Sequence, residues 1–524
     1  MLVGWWPLAG DTRDRSGCAR DAVGSSLDLG SEGPTGRPGG AAGFDGEAAL
    51  LTVPAGAVPA GVGDFTLALR VHTDAVLDRP LGDLASCFDP DTRNGFTLGF
   101  THASGVTSCQ PNFRHLYFGV DASTEPCWSD YGRPGNAILI FALAVHDDKL
   151  YAGTCEAGRT EAGHVYRYSG SGQWEDCGSP APCNAVSALA VFQGDLYAGV
   201  SRYRLAGSAL PESENPHPGG AIYRYRGGRD WEFCGQLPDR EAIGSLVVFR
   251  DRLYTSSLYK PAGFFRYEGG VTWTELATPG DRRVEALCVH GAHLWASSYD
   301  GGHVFRWEAD GAWTDCGLLG ENTQTYSFAR WQGELYAGSW PSGRVFRYRA
   351  DGDWEDAGRL GEELEVMGML VYNGKLYAGS LPLAEVYRYD GEQTWTCVGR
   401  LDATPAVRYR RAWTMAAYQG RLICGTLPSG RVHALQTGAC VTLDRSVPPG
   451  WVHLAAVRRG RRLELYLDGR RVAASAEFDP SQLALRGDLP LTLGGGPQGA
   501  FCGRLADVRL YTRALSEAEL GALR

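Results

Sequence analysis

A repeating pattern brings several charged and aromatic residues to equivalent places. Counting back nine and eleven residues from the Leu of each "LYAG" or near copy, the later copies give Arg283 with Glu285, Gln324 with Tyr326, Glu365 with Met367, and Arg411 with Trp413. The earlier copies give Leu139, Phe141, Ala185, Ser187, Ala242 and Gly244 at those positions. Residues two apart on a strand point the same way, so these side chains are expected to share one space. Just after "LYAG" the chain adds Tyr203, Arg204, Tyr259, Tyr299, Asp300 and Trp340. Three chemistries suit this set. Aromatic faces stack on sugar rings while paired polar groups bond hydroxyls. Glu285 and Glu365 could act as acid and base in glycoside cleavage. The same glutamates with Arg283 and Arg411 could instead be mutual ion pairs that plug a channel.

The elements that position these residues are repeats. "LYAG" or a near copy begins at Leu150, Leu196, Leu253, Leu294, Leu335, Leu376 and Leu422, giving spacings of 46, 57, 41, 41, 41 and 46. A "VYRY"-like strand and a Trp strand of the "WEDCG" type follow, each also in seven copies. A period of about 40 to 50 with four short strands is the signature of a propeller blade. One Trp strand is out of order: "PCWSDYG", around Trp128, precedes any "LYAG", while the last copy, "WTMAAYQGRLICGTLPSGRVHAL", has no Trp strand after it. If Trp128 supplies the outer strand of the last blade, the ring closes without a raw edge, and seven blades span 124–437. The pattern "EVYRYDGEQTWTCVG" resembles kelch repeats, without the Gly-Gly pair of that family. The longest insertion, "VSRYRLAGSALPESENPHPGGA", reads equally as a lid or as a disordered loop.

The flanks are of another kind. "GWWPLAGDTRDRSG", "FDG", "DFTLALRVHTD", then "GWVHLAAVRRGRRLELYLDGRRVA" and "LADVRLYTRALSEAEL" together resemble one laminin-G-like (concanavalin-A-like) jelly roll, split into 1–123 and 438–524. The expected fold is therefore all-β, a seven-bladed kelch-like propeller inserted into a split laminin-G-like sandwich. The resemblance implies a calcium site, since that family often holds Ca²⁺ through rim carboxylates. The matching acids here are Asp14, Asp45 and Asp507, with Ala506 where a second adjacent acid is usual. Plain turns and caps account for the same residues.

Composition narrows the partners. A net charge of −10 over 524 residues offers no basic face for nucleic acid. No run of 18 apolar residues occurs, which argues against membrane insertion. The start, "MLVGWWPLAG", has no leader pattern, so synthesis in the cytoplasm is expected, with release or display as part of an assembly. Three lysines among 50 basic residues suggest GC-rich coding and a bacterial source. The cysteines of the Trp strands read as small buried hydrophobes, and Cys155 with Cys183 is the one pair to test for a bridge. P-loop, Rossmann, zinc-protease and Gly-x-Ser-x-Gly signatures are absent. The reading is a non-enzymatic recognition protein for glycans or proteins, such as an adhesin or the receptor-binding part of a larger assembly. Alternatives are a carbohydrate-active hydrolase or lyase using the channel-mouth carboxylates, and a protein–protein scaffold.

Overall fold

The computed structural model describes residues 1–104, 106, 108–110, 114–156, 158, 160–309 and 311–523. Nearly all of its regular structure is β. Among the described residues the only α-helix is the short turn Glu517–Gly521, started by a Ser516/Glu519 capping box.

Strands from both ends of the chain share two sheets. In the first, Phe65–Thr73 lies between Gly450–Arg459 and Cys502–Tyr511. Its alternation explains the placement: Phe65, Leu67, Leu69 and Val71 enter the core, while Arg70 and His72 point outward. The second sheet runs from Val23–Ser25 through Leu50–Val53, Leu491–Leu493, Asp83–Asp89, Asn94–Phe100 and Leu116–Ala122 to Ala439–Thr442. Their inner faces make one continuous hydrophobic core, the packing of a sandwich.

The middle of the chain is propeller-like, and its strands fall into five hydrogen-bonded sheets. That count differs from the seven separate blades expected, for two physical reasons. A single pairing, Cys155 with Ala185, joins two four-strand runs into one sheet of eight. Two short strands from the sandwich, Ala103–Ser104 and Ser108–Gln110, bridge two more runs into a sheet of ten. The Trp128 strand, Cys127–Asp130, pairs antiparallel with Val432–Gln436.

Each repeat Trp bonds its neighbour. The indole Nε1 of Trp174, Trp231, Trp273, Trp313, Trp354 and Trp395 donates to the carbonyls of Tyr131, Cys177, Cys234, Ala277, Cys316 and Ala357 at 2.7–2.9 Å. Trp128 donates to Val398 O at 2.9 Å, which returns the cycle to its start. Glycine makes the approach possible. At Gly235, φ is +118° and a Cβ would lie 2.8 Å from Trp273. The Gly of "LYAG" serves the inner strands in the same way, and a Cβ on Gly425 would sit 2.5 Å from Cβ of Ile140.

The sandwich sits where the inner strands end. Asn373 Nδ2 donates to Thr437 O at 2.8 Å, Gln332 N to Pro497 O at 2.8 Å, and the buried Arg330 guanidinium points at the carbonyls of Gly46, Pro80 and Ala500 at 3.4–3.5 Å. From this side the segment 103–110 enters the propeller. Its backbone pairs with Met369 and Leu370 on one inner strand and Leu246 and Val247 on another, and it also touches the inner strands Leu139–His146, Ala185–Phe192, Val284–His290, Gln324–Trp331 and Arg411–Tyr418. Val106 is fully buried there against Leu139, Phe141, Ala185, Met367 and Trp413.

Candidate functional site

The residues singled out by the repeat lie at the opposite end of the same channel, in two layers. Glu285, Glu365, Arg411, Trp413 and Tyr326 are buried; Arg283, Gln324, Tyr299 and Trp340 form a half-exposed rim above them. In the buried layer, Arg411 Nε lies 3.8 Å from Glu365 Oε2, and Arg411 Nη1 donates to Ser208 Oγ at 2.6 Å. Its guanidinium also lies 5.5 Å from the Trp413 ring centre and 5.9 Å from that of Tyr409. Burial, and then the neighbouring Glu365 carboxylate, push Glu285 up to about 8. Burial pushes Glu365 up to about 7, against the pull of Arg411. Glu285 therefore holds its proton to higher pH than Glu365, the carboxyl that lies beside Arg411. Glu285 Oε2, Arg411 Nε and Trp413 Nε1 have no hydrogen-bond partner among the described residues.

A roof covers this layer. The insertion after "LYAG" in the second copy forms a one-turn 3₁₀ segment, Leu205–Ser208, whose Leu205 and Ser208 are fully buried. Glu212 accepts from Leu205 N and Ala206 N at 2.9 and 3.0 Å, and Asn184 bonds Tyr203 on both its backbone groups. Of the two readings of this insertion, lid and disordered loop, the structure takes the ordered one. Leu205 from above and Val106 from below belong to the same hydrophobic cluster.

The rim keeps its own contacts. Arg283 forks Asp300, with Nη2 to Oδ1 at 2.6 Å, and its guanidinium lies 4.4 Å from the Tyr299 ring centre. Tyr299 meets Tyr326 edge-on at 5.4 Å, and Tyr326 donates to Gln324 Oε1 at 2.9 Å. Trp340 meets Tyr409 edge-on at 6.3 Å, with Arg408 4.8 Å over Tyr409 and the exposed Lys260 near Asp300. Sequence reasoning missed Tyr409, Ser208 and Val106. Tyr409 precedes the aligned strand and Ser208 hides in a polar insertion. For Val106 a signal existed: fourteen residues, 101–114, separate "NGFTLGF" from "HLYFGV", long for a hairpin connection.

The three acids proposed for calcium are not brought together. Asp14 accepts from Trp5 N, Ser16 N, Ser16 Oγ and Arg20 N at 2.8–3.0 Å. Asp507 accepts from Trp5 Nε1 and Arg509 Nε at 2.8 and 2.9 Å, and Asp45 closes a turn onto the N–H groups of Glu47, Ala48 and Ala49. At Asp45 and Asp507 all of these donors reach Oδ1. Among the described residues no group of three or more His, Cys, Asp or Glu is placed to hold a metal ion. Cys155 and Cys183 are both free thiols. No helix of the described residues is long and apolar enough to cross a membrane.

The class the sandwich belongs to is supported from outside the chain: residues 420–521 match the concanavalin A-like lectin/glucanases superfamily, Laminin_G_3. The match covers less than half of the chain and so describes that part alone. Among solved structures, virginiamycin B lyase from Staphylococcus aureus is 10% identical, covering 60% of this chain and 99% of its own, with a TM-score of 0.46. A streptogramin B lyase is 11% identical over 60% and 98%, TM-score 0.44, and YCF48 bound to D1 peptide is 14% identical over 60% and 100%, TM-score 0.42. At such identities and scores none of these says what this chain binds or does. No curated protein matches the chain.

Proposed function

We propose that the chain is a recognition protein that binds a glycan or a protein at the rim of the propeller mouth. In this reading the propeller has seven kelch-like blades, spans 124–437 and is inserted into a laminin-G-like sandwich that holds its other end. The single observation that carries the reading is the division of the mouth into two layers. The carboxylates a hydrolase or lyase would need, Glu285 and Glu365, lie buried beneath the 205–208 roof, with Arg411 beside Glu365. A general acid must come within hydrogen-bond reach of the bond it protonates, and here the roof stands in the way. The aromatic and arginine side chains that suit recognition, Trp340, Tyr409, Arg283 and Arg408, are the ones left at the surface. Two connections to the sandwich fix the direction in which this rim faces, which suits the receptor-binding part of a larger assembly.

A glycan array with purified protein, with and without calcium, tests this together with Arg283→Ala/Trp340→Ala. Selective binding that falls tenfold or more in the double variant is the expected result. Turnover of any bound glycan, abolished in Glu365→Gln, would replace the reading by the hydrolase or lyase. Silence across the array would leave the protein–protein scaffold.

A further inference from the structure

One arginine departs from the repeat at the sandwich end of the channel. The last residue but one of each inner strand is, in chain order, Val145, Val191, Val248, Val289, Arg330, Val371 and Ala417. Six small aliphatic side chains and one guanidinium occupy equivalent places, so packing alone does not explain Arg330. The residue is 4% exposed, and its tip reaches into the sandwich. A Cβ added to Gly499 would lie 2.6–2.9 Å from Nη2, Cζ and Nε, so the guanidinium is packed against bare backbone there.

A buried charge is ordinarily paired, and this one lacks a carboxylate partner. Nη1 and Nη2 meet the carbonyls of Pro80, Gly46 and Ala500 at 3.4–3.5 Å, and Nε has no partner among the described residues. The acid that acts on it most is Asp83, whose oxygens are already taken. Oδ1 accepts from Tyr117 Oη at 2.6 Å and Oδ2 from Gln498 N at 2.7 Å. Burial pushes the Asp83 carboxyl up to about 7, which weakens it as a counter-charge. Burial lowers Arg330 only to about 10, so the guanidinium stays charged at neutral pH. The neighbouring Arg79 is paired with Asp78 and Glu47 at 3.2 and 2.9 Å.

Two imidazoles lie within electrostatic reach. His290 ends the adjoining inner strand, and the buried His102 leads into Ala103–Ser104, the strand that pairs with Met369 and Leu370. Burial, then Arg330 and His102, lower the pKa of His290 to about 3. The His290 ring is half-buried, but its Nδ1 is enclosed, as is Nε2 of His102. Like Arg330 Nε, neither has a partner among the described residues. A neutral imidazole carries one N–H; with the hydrogens on these two nitrogens, the cluster offers three donors and one positive charge. We infer that a single anion of the halide class, such as chloride, binds at this junction of sandwich and propeller, held by Arg330, His290 and His102. Water accepts from the same donors but leaves the guanidinium uncompensated. Packing against Gly499 suits an ion of one atom better than a phosphate or sulfate. An anion so placed touches an inner strand pair and the segment entering from the sandwich, and so fastens the two modules together.

Two measurements on the full chain test this, with bromide as the probe. In crystals grown with sodium bromide, an anomalous difference peak should stand beside Arg330 Nε. In thermal unfolding at constant ionic strength, exchanging sodium gluconate for sodium bromide should raise the midpoint saturably, by about 2 °C or more. Arg330→Val installs the residue most of the other inner strands carry and should abolish that rise. His290→Phe, which matches Phe192 and Phe249 at the equivalent position, should weaken the apparent bromide affinity about tenfold. Water without anomalous signal beside Arg330, or bromide at surface positions as an adventitious ion only, would overturn the inference. So would a midpoint indifferent to the exchange, or a rise of equal size and affinity in both variants.

Discussion

Glu285 is the residue at which burial and charge conflict most plainly. Its carboxyl is fully enclosed, one oxygen has no partner among the described residues, and a second glutamate lies close enough to raise it further. The protein resolves this by keeping the proton. A carboxyl whose folded pKa is raised, here to about 8, contributes stability that is complete below its unfolded pKa and is lost as pH rises through the folded one. Glu365, Asp83 and Asp444, each raised to about 7 chiefly by burial, act in the same direction. The thermal midpoint should therefore fall between pH 6 and pH 9. Glu285→Gln keeps the shape without the ionisable proton, so by calorimetry it should match the parent near pH 4, below the carboxyl's unfolded pKa, and exceed it by a growing margin up to pH 9. Superimposable pH profiles for the two proteins would refute this account of the site. That Glu285 and Glu365 share one space was legible from their offsets of nine and eleven residues before "LYAG", which face the same way along a strand; that they are sealed was not. The roof comes from a Pro-, Ser- and Glu-rich insertion whose composition gives no hint that Leu205 and Ser208 turn inward.

At the level of elements, the Trp strand is the fastener of the ring. Each indole spans to the carbonyl of the previous run, and Trp128, the first in sequence, closes onto Val398 near the end. Trp128→Phe and Trp273→Phe should each cost about 1 kcal/mol, the usual worth of one such bond. Equal losses in denaturant titrations fit a closed ring, whereas a much smaller loss for Trp128 would mean that its strand hangs at an open end. Gly425→Ala should cost on the order of 1–3 kcal/mol through the clash with Ile140, with its effect felt across the same closure. The out-of-order Trp strand was readable because a repeat leaves a count to balance. The five-sheet grouping was not, because it turns on one bridging pair at Cys155 and on the 103–110 segment, neither of which belongs to the repeat.

For the whole molecule, the described residues of the 103–110 segment are what tie the sandwich to the propeller-like part. It begins in the sandwich, ends in the sandwich, and in between pairs with inner strands on two sides of the propeller. Val106→Asp places a charge in a fully buried hydrophobic cluster and should destabilise the protein by about 3 kcal/mol or more. The backbone amides of 243–249 and 365–372 should then lose hydrogen-exchange protection ahead of the outer Trp strands. Uniform loss across every strand would show instead that the segment is mere filler.

The order of the strands also sets a clock on biosynthesis. Phe65–Thr73 is flanked on both sides by strands beyond residue 449, so when it leaves the ribosome neither neighbour exists. At about 5–20 residues per second, the nearly four hundred residues in between take on the order of 20–80 s. Throughout that interval an apolar strand with two bare edges waits in the cell. The molecule's greatest exposure to aggregation thus falls before its second module is finished, and its yield will depend on whatever shelters the nascent N-terminal segment for that time.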